Sequence, residues 1–313
     1  MEASTDDGFS YSRISSPISG KDKELIFSIL ILFINPGSFM KDNKLLHQTR
    51  NIIFLFFLLI PNISFSQTED AAFKTVQTYE IREARQGIAV DSAYFYAINT
   101  QGIGKYRKIN GDLVAEWKDD SGQIIHLDGG VVVNDKLYCA HSNYPEIPMT
   151  SSIEIFDTEN LEHLGSHSFG IKYGSCTWAD YSNDYWWVCF AHYDKFEPLT
   201  NKNNRWTVLV KFDKNWHEQE SWTFPASVLQ EFKPMSCSGG SWGPDGNLYV
   251  TGHDSTSVYV LQLPEMGSIL VLKKILKITS EGQGIAWDRY EKNNLYGIRR
   301  KDNLVIKSRL SPF

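Results

Sequence analysis

The stretch Gly282-Gln283-Gly284-Ile285-Ala286-Trp287-Asp288 has a near copy far upstream, at Arg85-Gln86-Gly87-Ile88-Ala89-Val90-Asp91. A turn and a second apolar run follow each copy, Tyr94-Phe95-Tyr96-Ala97-Ile98 in the first and Leu295-Tyr296-Gly297-Ile298 in the last. Three weaker copies lie between, led by Leu127-Asp128-Gly129-Gly130, Gly174-Ser175-Cys176-Thr177-Trp178 and Ser238-Gly239-Gly240-Ser241-Trp242. Aligned on these strings, Gln86, Asp128, Gly174, Ser238 and Gln283 fall at one position, with gaps of 42, 46, 64 and 45 residues. That period is the size of a four-stranded propeller blade.

Working outward, each repeat supplies further runs of alternating polarity, the mark of half-buried strands. The last repeat ends after three strands, at Leu304–Leu310. Its missing fourth strand has a candidate at the other end of the repeat region, Lys74–Ile81. Donating it would close the ring and leave no exposed central edge. The expected fold is all-β: a five-bladed β-propeller of four-stranded antiparallel blades, closed by an N-terminal strand that completes the last blade.

Composition agrees. Aromatic residues make up 13% of the chain, and such side chains pack well on pleated sheets. The formal charge of −6 over 313 residues offers no basic face for nucleic acid. Cys139, Cys176, Cys189 and Cys237 show no CxxC spacing and lie on or beside inner strands, so they read as buried thiols; export would permit one disulfide.

Residues 40–66 have the form of a signal peptide. A basic start at Met40–Arg50 leads into the apolar run Ile52–Ile60, then Ser64 and Ser66 stand at −3 and −1 of a cleavage site. The apolar run falls short of the roughly 20 residues that span a bilayer, so stable membrane insertion is not expected. Residues 1–39 precede this leader and read as a non-native upstream extension. The expected mature protein is a single domain, 67–313, exported to the periplasm or medium and monomeric.

Loop lengths point to the working face. The first hairpin of each repeat turns tightly, as at Asn134-Asp135 and Asp245-Gly246, whereas the connections 142–151, 193–205 and 225–236 are long. In a propeller these long loops open on one face, over the axial channel. Two rings of side chains should meet there. One comes from the starts of the inner strands: Arg85, Gln86, His126, Asp128, Glu281 and Gln283. The other comes from the ends of the second strands: His141, His192, His253 and Arg299, with Asn143, Tyr144, Tyr193 and Arg300 just beyond.

The arginines Arg85, Arg299 and Arg300 suit a carboxylate, which the guanidinium fork binds bidentately. The imidazoles of His126, His141, His192 and His253 suit proton transfer near neutral pH, with Asp128 as partner or base. Against this, a polar residue at a fixed place in a repeat often serves only to satisfy the backbone. A divalent metal held by His141, His192 and His253 is a further reading; otherwise no cofactor is expected, since no P-loop, GxSxG, HExxH or dinucleotide fingerprint occurs. Tyr144, Tyr173, Tyr193, Trp206 and Phe232 are candidates for stacking on a ligand. The segment Pro225–Phe232 reads as a short helical lid.

With Ala140–Met149, Phe190–Asp194, Ser238–Gly246 and Glu281–Asp288 in view, residues 74–310 resemble a family of exported bacterial β-propellers labelled cycloisomerase. The family is similar in architecture to the muconate-lactonising cyclase propellers. The resemblance implies ring closure or opening of an unsaturated carboxylate without a cofactor, and it carries no catalytic residue onto this chain. The function expected is therefore an isomerase or lyase acting on a small carboxylate or sugar-derived substrate at the axial mouth. A non-catalytic glycan- or protein-binding propeller and a metal-dependent hydrolase or lyase stand as the alternatives.

Overall fold

The computed structural model describes residues 73–311; the expected extension 1–39 and leader 40–66 lie outside them. The first strand, β1 (Phe73–Glu80), joins the last blade. Blade 1 is β2 (Gly87–Val90), β3 (Tyr94–Asn99), β4 (Gly102–Arg107) and β5 (Leu113–Lys118). Blade 2 is β6 (His126–Val133), β7 (Lys136–Ser142), β8 (Ser151–Asp157) and β9 (His163–Gly170). Blade 3 is β10 (Ser175–Ser182), β11 (Tyr185–Ala191), β12 (Val208–Phe212) and β13 (Glu218–Thr223). Blade 4 is β14 (Gly239–Trp242), β15 (Leu248–Thr251), β16 (Ser257–Gln262) and β17 (Val271–Lys277). Blade 5 is β18 (Ile285–Trp287), β19 (Asn294–Arg299), β20 (Leu304–Leu310) and the donated β1.

Every sheet is antiparallel, and β1 pairs with β20 from Phe73↔Leu310 to Glu80↔Leu304. The backbone carries the closure further. Ile81 N–H donates to Asn303 O at 2.7 Å, and Gly284 N–H donates to Gln86 O at 2.9 Å, joining the innermost strands of blades 5 and 1. Among the described residues no helix is long and apolar enough to cross a membrane.

The repeated strings recur for a local reason. Asp91 Oδ1 accepts the Ala93 and Tyr94 amides while its Oδ2 takes the Tyr96 hydroxyl at 2.6 Å. Asp288 Oδ1 likewise accepts the Tyr290 and Glu291 amides. An aspartate that accepts amides two and three residues ahead fixes a turn without help from the rest of the fold. Both copies therefore build the same first hairpin, on the face away from the long loops.

Each sheet buries both faces, so the core is divided among the five junctions between blades. Blades 5 and 1 meet through Tyr79, Phe95, Tyr106 and Tyr296, and blades 3 and 4 through Trp178, Trp187, Trp222 and Trp242. The adjacent tryptophans of β11 divide between junctions: Trp186 stacks on Trp216 at 4.6 Å, and Trp187 meets Trp242 at 4.7 Å. Truncating such a side chain to alanine costs about 3–5 kcal/mol. The four cysteines are buried free thiols.

The segment expected to form a lid does contain a helix, α2 (Ala226–Glu231), preceded in the chain by the single turn α1 (Glu197–Thr200). It is no free flap. Val228, Leu229 and Phe232 are buried in the junction of blades 3 and 4, and Asn204 Nδ2 donates to Leu229 O at 2.7 Å.

Candidate functional site

The inner strands approach one another so closely at the axis that side chains are excluded there. A Cβ on Gly87 would stand 2.5 Å from Asp128 O, and one on Gly129 would stand 2.8 Å from Trp178 Cβ. At this narrow point β6 bulges: Leu127 pairs with His141 and Gly130 with Cys139, so Asp128 and Gly129 together oppose Ala140. A bulge re-aims the side chain it carries. Here that side chain is Asp128, only 4% exposed.

The Asp128 carboxyl forms no hydrogen bond among the described residues. Among the described residues its one partner at ion-pair distance is His126, with Nε2 at 3.6 Å from Oδ2. Attraction between the two would lower the acid and raise the base. Burial acts the other way on both groups and wins. It lifts the Asp128 carboxyl well above the usual carboxylate range. It pushes His126 down to about 4, helped by the charges of His141 and His253. Burial thus favours the uncharged form of both groups, a carboxylic acid beside an imidazole.

Aromatic rings wall this pair. Tyr144 lies 5.1 Å from the His126 ring and 5.1 Å from Tyr193. Tyr193 OH donates to Ser175 Oγ at 3.4 Å, and Ser175 donates on to Ser142 Oγ at 2.9 Å. Lys195 Nζ donates to Tyr144 OH at 2.6 Å and lies over its ring, which ties the loop after β11 to the mouth.

Beside this pair opens a cleft of about 710 Å³, lined by Arg85, Asp254, Glu281, Arg300 and Lys301. Most of its charges are matched: Lys301 pairs with Glu281 at 2.6 Å, and Arg300 with Asp254 at 3.1 Å. Arg85 is the exception. Its Nη1 meets only the Arg300 carbonyl at 3.3 Å and Asn303 Oδ1 at 3.1 Å, and among the described residues it has no acidic partner. His253 links cleft and pair, because its Nδ1 lies 2.5 Å from Asp254 Oδ2 and 3.4 Å from Arg300 Nη2 while its charge acts on His126.

The remaining residues named from sequence lie elsewhere or are occupied. The three histidines are not equivalents: His141 sits inside β7, paired with Leu127 and Ser152, whereas His192 and His253 lie beyond the ends of β11 and β15. Both nitrogens of His141 are used. Nε2 accepts the Ile125 amide at 3.1 Å, so Nδ1 carries the proton and donates to Ser152 Oγ at 2.9 Å. Ser152 passes a hydrogen bond to Glu154 Oε1 at 2.5 Å, and Glu154 Oε2 takes His163 Nε2 at 2.8 Å. His192 donates Nε2–H to Tyr173 O at 2.7 Å and lines a separate pocket.

Asn143 staples its own loop through Pro148 O and the Thr150 amide. Arg299 pairs with Asp302 at 2.7 Å. Gln283, at φ 100°, gives its amide to His253 O at 3.0 Å, and Gln86 joins the ring closure through its backbone carbonyl. Of the stacking candidates, Phe232 is buried core, Tyr173 stacks on Phe190 at 4.5 Å, and Trp206 is exposed and does not line the cleft. Among the described residues no three His, Cys, Asp or Glu side chains converge as metal ligands. The His141–His192–His253 metal reading therefore has no ligand set, since His141 is clasped within its blade and His192 faces another pocket.

The Ser152–Glu154 link was not singled out from sequence. Its signal was there: two polar residues at alternate positions of a strand, Ser152 and Glu154, share one buried face. Because Glu154 holds His141 through Ser152, and His141 clasps Ile125, Glu154→Gln is expected to cost about 1–3 kcal/mol in urea denaturation. It should also speed amide exchange at Ile125. Unchanged exchange there would show that His141 is not the clasp.

No protein-family model matches the chain, and no curated protein matches it. Solved structures do. The PQQ-bound aldose sugar dehydrogenase from Streptomyces coelicolor is 9% identical, with 77% of this chain and 98% of that chain covered and a TM-score of 0.47. The WD40 β-propeller domain of Doa1 is 11% identical over 71% of this chain and 62% of that chain, at a TM-score of 0.39, so the match spans under two thirds of that structure. A chain of the mitotic checkpoint complex is 8% identical over 80% and 96%, at 0.44. Matches at this level speak only to fold, and the propeller assignment rests on the sheet topology above.

Proposed function

We propose that the axial mouth moves a proton on a small carboxylate or sugar-derived acid, making the chain an exported isomerase or lyase of cycloisomerase type. One observation carries this reading. Asp128, buried on a bulge at the axis, and the half-buried His126 stand side by side without a hydrogen bond among the described residues. A carboxylic acid able to give a proton, next to an imidazole able to take one, is the pairing that general acid–base catalysis uses. Structural polar groups are normally hydrogen-bonded when buried, so leaving two unpartnered is a cost that a bound ligand offsets. Arg85 would hold the carboxylate, and the faces of Tyr144 and Tyr193 would border the ligand's carbon skeleton.

The test is a panel of unsaturated sugar acids, lactones and muconates incubated with the protein in D2O. Carbon-bound deuterium appearing in one compound, seen by proton NMR, is the expected result. For that compound Arg85→Met should raise KM about tenfold or more and leave kcat within a few fold, since it removes binding common to ground and transition states. A ligand that binds and returns unchanged, with no exchange, would leave a binding module in place of an enzyme.

A further inference from the structure

A second pocket surrounds His192. It holds about 410 Å³, opens between the loops of blades 2 and 3, and shares no lining residue with the Arg85 cleft. Its walls are Ile147, Pro148, Met149, Ile171 and Leu199. Ile171 and Leu199 are 65% and 73% exposed, a large apolar surface to leave in water on one face of a pocket. The volume is that of a small-molecule site.

Its polar end is equally unpartnered. Lys202 lines the pocket, its ammonium 5.4 Å over the Trp206 ring, and among the described residues no acid pairs with it. The acids nearby are engaged elsewhere, Glu197 with Asn203 Nδ2 at 2.9 Å and Asp194 with Lys233 at 3.3 Å. His192 Nδ1 likewise has no hydrogen bond among the described residues. The imidazole is held in place by Gly174, where a Cβ would come within 2.8 Å of Nε2 and push the ring away. Burial, together with Lys202, lowers the His192 pKa, so the ring stays neutral and Lys202 supplies the charge.

We infer that this pocket binds an apolar monocarboxylate, its chain among Ile147, Met149, Ile171 and Leu199 and its carboxylate on Lys202. The class follows from charge complementarity: an apolar wall ending in one uncompensated cation, with no lining acid to repel an anion. The site is independent of the axial mouth and does not need the chain to be an enzyme.

Isothermal titration of the purified chain with hexanoate, octanoate, decanoate and 1-octanol tests it. Affinity should rise with chain length, by up to about fourfold for each added methylene that is buried. Lys202→Gln should weaken octanoate about tenfold and leave 1-octanol unchanged, the size expected for losing a charge-assisted hydrogen bond. Leu199→Glu should remove binding of both while the circular dichroism spectrum is retained. The inference is overturned by octanoate and 1-octanol binding equally well, by an unaffected Lys202→Gln, or by the lack of any saturable binding. It is also overturned if Asp128→Asn shifts octanoate affinity, because the carboxylate would then sit at the axial mouth.

Discussion

Lys108→Met is expected to destabilise the propeller by about 3–5 kcal/mol, a third or more of the 5–15 kcal/mol that holds a typical domain together. Lys108 follows β4 in blade 1, and its Nζ lies 2.7 Å from Oδ2 of Asp288, which follows β18 in blade 5. Both side chains are buried, Asp288 completely. Removing the lysine leaves a buried carboxylate at the ring closure without its counter-charge, while the hairpin still needs its other oxygen. The pair also spans the closure that β1 makes from the far end of the chain, so its loss acts on the contact that turns five sheets into a ring. Replacing both partners with apolar residues removes the charges together. Lys108→Met/Asp288→Leu should therefore recover most of the loss, less the two hairpin amides that Asp288 accepts. The measurement is a double-mutant cycle in urea. A coupling energy near zero would sink the claim that this pair fastens the ring.

That closure shows why the fold was legible. Asp91 and Asp288 each fix a turn with amides from their own hairpin, so the repeat writes itself into a local string that sequence comparison can find. The donated strand was legible too, because a blade lacking its fourth strand and an orphan apolar run imply each other. The candidate site was less so, and for a physical reason. Aligning Ala140-His141 with Ala191-His192 and Gly252-His253 assumed that the second strands end alike, but β7 runs through His141 to Ser142 while β11 and β15 stop at Ala191 and Thr251. His141 is therefore clasped by Ser152 inside its blade, whereas the loops beyond β11 and β15 turn His192 to the pocket beside Gly174 and His253 to Asp254 and Arg300 at the cleft. On β6 the bulge at Asp128-Gly129 also re-aims the Asp128 carboxyl. Nothing in residue order reveals a bulge. Nor does it reveal that Lys301 and Asp254 complete the charge pattern around Arg85 and Glu281, since those pairings form between loops distant in the chain.

The bulge sets the buried Asp128 carboxyl at the axis, and its replacement should separate function from stability. Asp128→Asn is expected to lower turnover of the compound found by deuterium exchange about 100-fold or more, the scale of a lost general acid–base group. The same variant should be more stable than the parent at neutral pH. Asp128 binds its proton more tightly folded than unfolded, because burial raises its folded pKa. Between the unfolded value of about 3.9 and the raised folded one, the native chain holds the extra proton, so stability falls as pH rises through that window. Asparagine does not ionise and escapes the loss. His126 works in the opposite sense: its folded pKa of about 4 lies below the ordinary 6.5, so stability is present above 6.5 and drains away as pH falls towards 4. His126→Gln should flatten that acid limb by about 2–3 kcal/mol. Melting curves from about pH 4 to 8 read both effects, with the window set by the ordinary carboxylate and imidazole values. A residue kept to hold the fold costs stability when it is changed; one kept for chemistry, against the preference of its surroundings, returns stability when it goes. If Asp128→Asn melts below the parent at pH 7, the carboxyl is a structural group and the acid–base reading of the axial mouth falls with it.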